Sequence, residues 1–581
     1  MLDQTQPDLA AIATRWLADF EAAGDLTALF TADCWWRDLL AGTWEIQTTQ
    51  GRTDVTAALS TLPAKHRFAG LKIAEGRWPP SMVARAGRDC LEVFVAFETE
   101  IGRGTAVLRL VDDGGTWKAW TLMTALDEIK GHEEQTGQDR PKGQAYSRDF
   151  RGPNWKDLRD KALAYEDHDP AVIVVGGGQA GLAIAARLTQ LGVDTLIVDR
   201  EKRIGDNWRL RYHALTLHNQ VQVNHLPYMP FPPSWPTYIP KDKLANWFEA
   251  YVDAMELNFW TDTSFDGGTY DDATGQWEVQ LTHKGQPRTM RPRHVVMATG
   301  VSGIPSLPEI PGIDAYKGPV LHSSQYTDGD DWTGKSAIVF GTGNSAHDIS
   351  QDLVSAGAKV TMVQRSPTLV VNVEPSAQLP YILYESGPST DDCDLISQAS
   401  PVPLVREMHK DYTRQSEELD KPLLDGLKAK GMRLHNGIDG TGWQFLYLTR
   451  GGGYYFNVGA SQMIADGRIE IVQADDIAGF TETGATLTNG EERPADLMVL
   501  STGYKGQEYL VGKLFGEDVA EKVGPIWGFD KADGETELRN MYCRTGQPGL
   551  WFIAGSLAQC RIFSKYLGLQ IKAAEEGLLA G

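Results

Sequence analysis

From Val172 to Val175 the chain runs four apolar residues in a row, three of them valine, with no charge among them. That pattern suits a strand covered on both faces. Apolar residues then return at helical spacing from Leu182 to Leu191, Gly192 ends them, and Thr195 to Val198 reads as a second strand. The same order recurs later, with a strand at Ala337–Phe340, a helix running to Ala356, a stop at Gly357 and a strand at Lys359–Val363. Leu497–Leu500 and Leu550–Gly555 read as further strands, the latter returning to the first of these two units and followed by a helix from about Ile562 to Gly577. Between them, Lys241–Met255 is an amphipathic helix, Trp277–Thr282 and Arg293–Met297 are strands, and Leu404–Leu419 and Pro422–Lys430 are helices. Pro375–Pro403 shows no regular period.

The first 125 residues follow a different rule. Leu9–Ala22 is helical up to Gly24, Leu26–Phe30 is a second short helix, and Val55–Leu62 is a third, ended by Pro63. The period then changes to two across Leu91–Glu100, Thr105–Val111 and Trp117–Leu122. Helices followed by an antiparallel meander predict an α+β unit. Trp35, Trp36 and Trp44 read as its core, with Arg37 and Asp38 as a structural pair. Asp38 and His66 are its candidates for acid–base chemistry, and the structural reading is preferred for both.

Residues 127–168 are charged and contain glycine and proline, which marks a linker wrapped on the surface. The domains expected are therefore 1–126; a first nucleotide domain of 169–330 and 476–581; and a second of 331–475 carrying an insertion that shapes substrate access.

Composition narrows the class. The net charge of −22 argues against nucleic acid or an anionic membrane as partner. Five scattered cysteines with no C-x-x-C suggest neither a disulfide framework nor a zinc site. The opening MLDQTQPDLA lacks an apolar core, so no signal peptide is expected, and no apolar run reaches membrane-spanning length. The expectation is a cytoplasmic protein without a metal. Its oligomeric state is open, a homodimer included.

The chemistry sits in the glycines. Gly176, Gly178 and Gly181, with Gln179 and Ala180 between them, form G-x-G-x-x-G between a strand and a helix, and the second strand delivers Asp199. This is the context a dinucleotide site needs: glycines for the tight turn and close approach, a helix N-terminus for the pyrophosphate, an acid for the ribose. Gly341, Gly343, Asn344, Ser345 and Ala346 form the second turn, with Ala in place of the third glycine. Asp199 stands 23 residues after Gly176, and Gln364 stands 23 after Gly341, so the acid is missing there. Arg365 and Ser366 follow. An acid repels a 2′-phosphate and an arginine grips it. The first site is therefore assigned to FAD and the second to NADPH. Arg200 also follows Asp199, so the missing acid carries this inference more than Arg365 does.

Other stretches carry a resemblance. Tyr212-His213-Ala214-Leu215-Thr216-Leu217-His218, then Leu226-Pro227-Tyr228-Met229-Pro230-Phe231-Pro232 and Pro236-Thr237-Tyr238, resembles the plant YUCCA-type flavin monooxygenases and, more broadly, the flavin-containing monooxygenases. Tyr316-Lys317-Gly318 through His322 to Tyr326 is similar to that family's F-x-G-x-x-x-H-x-x-x-[YFW], with Tyr in the leading place. The closing Tyr326 is closer to the heteroatom-oxidising branch than to the Baeyer–Villiger branch, which usually has Trp there. His322 is read as organising the link between domains.

The resemblance covers roughly residues 170–581. It implies that Trp208, His218 and Asn219 lie near the flavin ring, that the Ala298-Thr299-Gly300 turn brings backbone close to the flavin nucleotide and links the domains, and that Thr502, Gly503 and Tyr504, in a stretch similar to the family's A-T-G-Y, belong with Thr299 and Gly300 to the cofactor-binding set. It also places Gly555 at the flavin and His218, Asn219 and Asn344 in the catalytic set. The implied reaction uses FAD and NADPH to form a C4a-(hydro)peroxyflavin from molecular oxygen. One oxygen atom then passes to a small organic substrate, by N- or S-oxygenation or by oxidative decarboxylation of a 2-oxo acid. A Baeyer–Villiger ketone oxygenase and a redox-sensing flavoprotein stand as alternatives. The N-terminal order of elements resembles the half-barrel of the nuclear-transport-factor-two and polyketide-cyclase superfamily. The fold class expected is α/β, with two Rossmann-type domains preceded by that α+β half-barrel.

Overall fold

A computed structural model describes residues 8–141, 150–529 and 536–579. The expectations for the first seven residues and for the middle of the linker fall outside them.

Two five-stranded parallel sheets organise the chain after residue 170. The first has the order Asn258–Trp260, Thr195–Val198, Val172–Val175, His294–Met297, Leu550–Phe552. Its three central strands are buried throughout, as a parallel sheet covered by helices on both faces requires. The late strand at Leu550–Phe552 does return to this sheet, beside His294–Met297. The second sheet has the order Val320–His322, Leu497–Leu500, Ser336–Phe340, Lys359–Gln364, Ile469–Gln473. Val320–His322 and Leu497–Leu500 thus belong to the second sheet, not to the first domain as the sequence division had them. An apolar run identifies a strand but not the neighbour whose N–H and C=O groups it meets.

The chain crosses between these units twice, and the crossings are tied together. Ile304–Pro305 pairs antiparallel with Tyr504–Lys505. Gly503 accepts from Ser306 N–H at 2.9 Å, and Thr502 Oγ1 donates to the Ser306 carbonyl at 2.6 Å. His322 Nε2 meets the Gly503 carbonyl at 3.1 Å and its ring is edge-on to Tyr504, so this histidine does sit on the crossing.

The N-terminal unit is a seven-stranded sheet in the order Ile46–Gln50, Phe30–Leu39, Trp117–Ile129, Gly102–Asp112, Arg88–Glu98, Ala69–Ile73, with Ser81–Arg85 also paired to Arg88–Glu98. The expected order of helices first and strands afterwards is corrected here. Only Thr27–Leu29 forms a 3₁₀ turn, and Phe30 opens a strand that runs parallel to Trp117–Ile129 in the middle of the sheet. Phe30, Trp36 and Leu39 are wholly or almost wholly buried, so tertiary packing outweighs the local helical pattern. Trp35, Trp36 and Trp44 are core, as read.

Arg88–Glu98 alternates in sequence, yet both of its faces are covered. Helix Leu9–Ala22 packs on this sheet, and the segment around Thr390–Ser400 lies against the side that carries Glu92 and Arg109. The linker is also more structured than expected: Asn154 caps a helix at Trp155–Ala164 through a capping box with Asp157.

Candidate functional site

Gly176 adopts φ 106°, and a Cβ there would stand 2.7 Å from the Ala298 carbonyl. A Cβ on Gly181 would stand 1.9 Å from the Gly176 carbonyl, so only glycine lets the helix approach the strand this closely. Helix Gln179–Gln190 starts at Gly178 with no side chain capping its first N–H groups, which leaves those donors for an anion. Asp199 is held at the turn: Oδ2 accepts from Gly177 N–H at 2.6 Å and Oδ1 from Glu201 N–H at 2.8 Å. Trp208 Nε1 donates to Gln179 Oε1 at 3.2 Å, and Gln179 Nε2 donates to the Gly555 carbonyl at 3.0 Å. Those contacts bring Trp208, Gln179 and Gly555 together at the turn. Asn207 Oδ1 is buried there without a partner. Open helix amides, a positioned acid and an orphaned amide oxygen fit a dinucleotide.

The helix after Gly555 starts at Leu557, five residues earlier than expected, and is capped by Ser556 in a box with Gln559. The serine was legible as a cap, but no apolar period announces Leu557–Arg561. Thr299 Oγ1 accepts from Gln507 Nε2 at 3.3 Å, and Gly300 has φ 72°. Arg200 is 71% exposed and lies beside Glu201, away from the glycine turn's contacts.

The second turn repeats the first. Gly341 has φ 111°, and Gly343 precedes helix Asn344–Ser355 with no side-chain cap. Ala346 is wholly buried and packs in the core where the first turn has Gly181. Gly176 N–H donates to Val198 and Gly341 N–H donates to Val363, which makes Asp199 and Gln364 structurally equivalent positions. Their side chains behave differently. Gln364 is buried and spends its amide on Arg433, Thr368 and Gln473, while Arg365 and Ser366 are exposed.

His218, Asn219 and Asn344 converge on one aromatic cluster. The His218 ring is edge-on to Phe456 at 5.4 Å. Asn344 Oδ1 accepts from Phe456 N–H at 2.9 Å, and Asn219 Nδ2 donates to the Tyr381 hydroxyl at 3.5 Å. Trp443 joins Tyr381 to Phe456, at 6.0 and 4.8 Å between ring centres. Burial lowers the basicity of His218, with the Asp348 carboxylate opposing it, so the imidazole is neutral at pH 7. Asp348 is itself raised by burial and accepts from the Tyr212 hydroxyl at 2.5 Å.

The sequence reading missed Tyr381, Trp443 and Phe456. A signal was present in Tyr454-Tyr455-Phe456: on strand Tyr454–Asn457, alternation sends Tyr454 and Phe456 to this cluster and Tyr455 to the core of the second unit. Trp443 also walls a cavity of about 320 Å³ beneath helix Val402–Leu419, together with His409, Tyr412, Thr413 and Val371. Burial holds His409 neutral, its pKa down at about 3.

In the N-terminal sheet, about 10 Å³ remains among Trp16, Phe68 and Phe97. Asp38 and Arg37 do not pair with each other. Asp38 accepts from Gly42 N–H, Thr43 and Thr124, while burial raises its pKa to about 6. Arg37 makes a two-pronged pair with Glu537 at 2.7 Å and also donates to Gln398. His66 is buried against the Ala41 carbonyl and Trp44.

Residues 173–411 match a family model described as pyridine nucleotide-disulphide oxidoreductase. The indole-3-pyruvate monooxygenase YUCCA1 of Oryza sativa subsp. japonica is 31% identical over 360 residues, which span 61% of this chain and 82% of that protein. The chain belongs to the flavin monooxygenase family. A probable indole-3-pyruvate monooxygenase of Arabidopsis thaliana, YUCCA4, is 31% identical over 338 residues, 58% of this chain and 76% of its own. Among solved structures, a closed cyclohexanone monooxygenase superposes with a TM-score of 0.51 at 16% identity, covering 70% of this chain and 85% of its own. A steroid monooxygenase bound to NADP gives 0.52 at 18%, covering 70% and 85%. At such identities these two show a shared fold. Cys34, Cys90, Cys393 and Cys560 are buried and Cys543 is half-buried. Among the described residues no group of His, Cys, Asp or Glu suits a metal ion, and no helix is long and apolar enough to cross a membrane.

Proposed function

We propose that the protein is an FAD- and NADPH-dependent monooxygenase that places one oxygen atom of O₂ on a small organic substrate, with a 2-oxo acid or a soft nitrogen or sulfur as acceptor. The observation that carries this reading is the pairing of two open glycine turns with one aromatic cluster that gathers His218, Asn219 and Asn344. The named activity of the plant relatives supports the 2-oxo acid class first.

FAD, when bound, accepts hydride from NADPH and reacts with oxygen. The chain's own residues hold and shield. The uncapped amides after Gly178 and after Gly343 would hold the two pyrophosphates, and Asp199 would accept from the ribose of FAD. Asn344 spends its Oδ1 on Phe456, so its Nδ2 donors are left for a ligand. Neutral His218 can share a proton with a bound oxygen or nitrogen without adding charge. Phe456 and Trp443 exclude water, which would otherwise divert reduced oxygen to hydrogen peroxide. The cavity beyond Trp443 falls in the size range of small-molecule sites and gives the insertion a role in admitting substrate. The protein is read as a cytoplasmic enzyme.

The test is a panel of 2-oxo acids, sulfides, amines and ketones in isotopically labelled oxygen, with NADPH loss and peroxide measured together. A stimulated NADPH loss with labelled product and little peroxide is expected for one of the first three. Labelled ester from a ketone would establish the Baeyer–Villiger alternative. NADPH loss matched by peroxide with every compound would refute oxygenation and favour a sensor or oxidase.

A further inference from the structure

Arg433 lies outside both nucleotide motifs, on the stretch that follows helix Lys421–Ala429. Its backbone is gripped at both ends by one side chain. Arg433 N–H donates to Gln364 Oε1 at 2.8 Å, and Gln364 Nε2 donates to the Arg433 carbonyl at 2.9 Å. Thr368 N–H also donates to that carbonyl, and Thr368 forms a parallel bridge with Leu434. These contacts fasten Arg433 alongside the Arg365–Pro367 turn. Its guanidinium donates from Nη2 to the Arg365 carbonyl at 3.2 Å.

Gln364 is the position equivalent to Asp199, where the first domain has its ribose-binding acid. Its amide carries no charge, and its buried contacts are all to protein. In a chain with 77 acidic and 55 basic residues, neither Arg365 nor Arg433 forms an ion pair among the described residues, and both side chains are exposed. Two exposed cations without carboxylates, one hydrogen-bonded to the backbone of the other, have the charge a dianion pairs with.

We infer that Arg433, held by Gln364, joins Arg365 and Ser366 to grip the 2′-phosphate of the coenzyme, so that Gln364 contributes to selectivity by positioning a second arginine as well as by lacking charge. This rests on the NADPH reading of the second domain.

The probe is 2′,5′-ADP against 5′-ADP, titrated calorimetrically into the full-length holoprotein, so no turnover is needed. Wild type should prefer 2′,5′-ADP. Arg433→Ala should weaken 2′,5′-ADP by about tenfold or more and leave 5′-ADP unchanged, as loss of a charge-assisted contact implies. Gln364→Met keeps the volume and removes the clamp, so it should lower 2′,5′-ADP affinity in the same direction although Arg433 is intact. The salt dependence of 2′,5′-ADP binding should be shallower in Arg433→Ala. If wild type prefers 2′,5′-ADP and Arg433→Ala retains that affinity, or loses both probes equally, the inference is overturned and the NADPH reading stands. A wild type with no preference overturns both.

Discussion

Arg109→Met would show what the N-terminal sheet does for the rest of the chain. Arg109 is wholly buried and reaches across to the insertion with both Nη atoms. Nε donates to Glu92 at 2.8 Å, Nη1 to Ser400 Oγ at 2.8 Å and the Ala399 carbonyl at 3.2 Å, and Nη2 to the Ile396 carbonyl at 3.1 Å. Two of these are carbonyls at the C-terminal end of helix Thr390–Gln398, the end that favours a cation. Arg77 and Trp78 N–H hold Asp392 near the other end. The same helix carries Asp394, whose carboxylate pairs with Arg561; Arg561 in turn binds the carbonyls of Val223 and His225, just beyond His218 and Asn219.

Removing one member of a buried pair costs about 3–5 kcal/mol. Glu92 keeps Arg85 as a partner, so the lower end, about 3 kcal/mol, is expected. That is roughly a 100-fold rise in local opening. Hydrogen exchange of the amides at residues 396–400 reads it without assuming that so large a chain unfolds in one step. The loss should also depend on pH. Burial raises the Glu92 carboxyl, but Arg109 and Arg85 outweigh it and hold the group below the usual range. A depressed folded pKa gives stability that is present above the unfolded value, about 4.3, and lost as pH falls through the folded one. With Arg109 gone, the folded pKa moves up toward the unfolded one, so that acid loss should be smaller and complete at a higher pH. Protection at 396–400 that changes less than threefold would refute the reasoning, because the contacts would then be incidental to how the insertion is held.

Gly178→Val should lose flavin, since its Cβ alone would stand 2.8 Å from Asn207 Nδ2; wild-type occupancy by absorbance would remove the first turn from the cofactor site. Arg365→Ala should weaken NADPH by about 10- to 150-fold and leave NADH nearly unmoved, as stopped-flow reduction titrated with each coenzyme would show. Asp38→Asn and His66→Asn should leave flavin reduction by NADPH intact in folded protein, because both side chains are committed to their own loop or sheet; a loss of reduction would give the N-terminal unit a part in the chemistry.

What was legible in the sequence was what a short period and a backbone constraint reveal. Both glycine turns, the strands feeding them and the missing acid at Gln364 follow from sterics at a turn and from periods of 2 and 3.6. What stayed hidden depends on partners far apart in the chain. Phe30–Leu39 reads as loop and helix until Trp117–Ile129 pairs with it. Glu92 reads as the wet face of an alternating strand until the insertion covers it with Arg109.

Gln364 joins both kinds. Its position 23 residues after Gly341 told that a carboxylate was absent, which is a statement about charge. Its two hydrogen bonds to the Arg433 peptide turn absence into a positive contact, and Arg433 lies 69 residues away, across three α-helices. A glutamine can make both bonds because its amide carries a donor and an acceptor side by side; a glutamate has no donor for the Arg433 carbonyl. The glutamine that removes repulsion toward a 2′-phosphate therefore also supplies the donor and acceptor that pair with the Arg433 peptide. Charge and geometry at residue 364 push coenzyme choice in one direction.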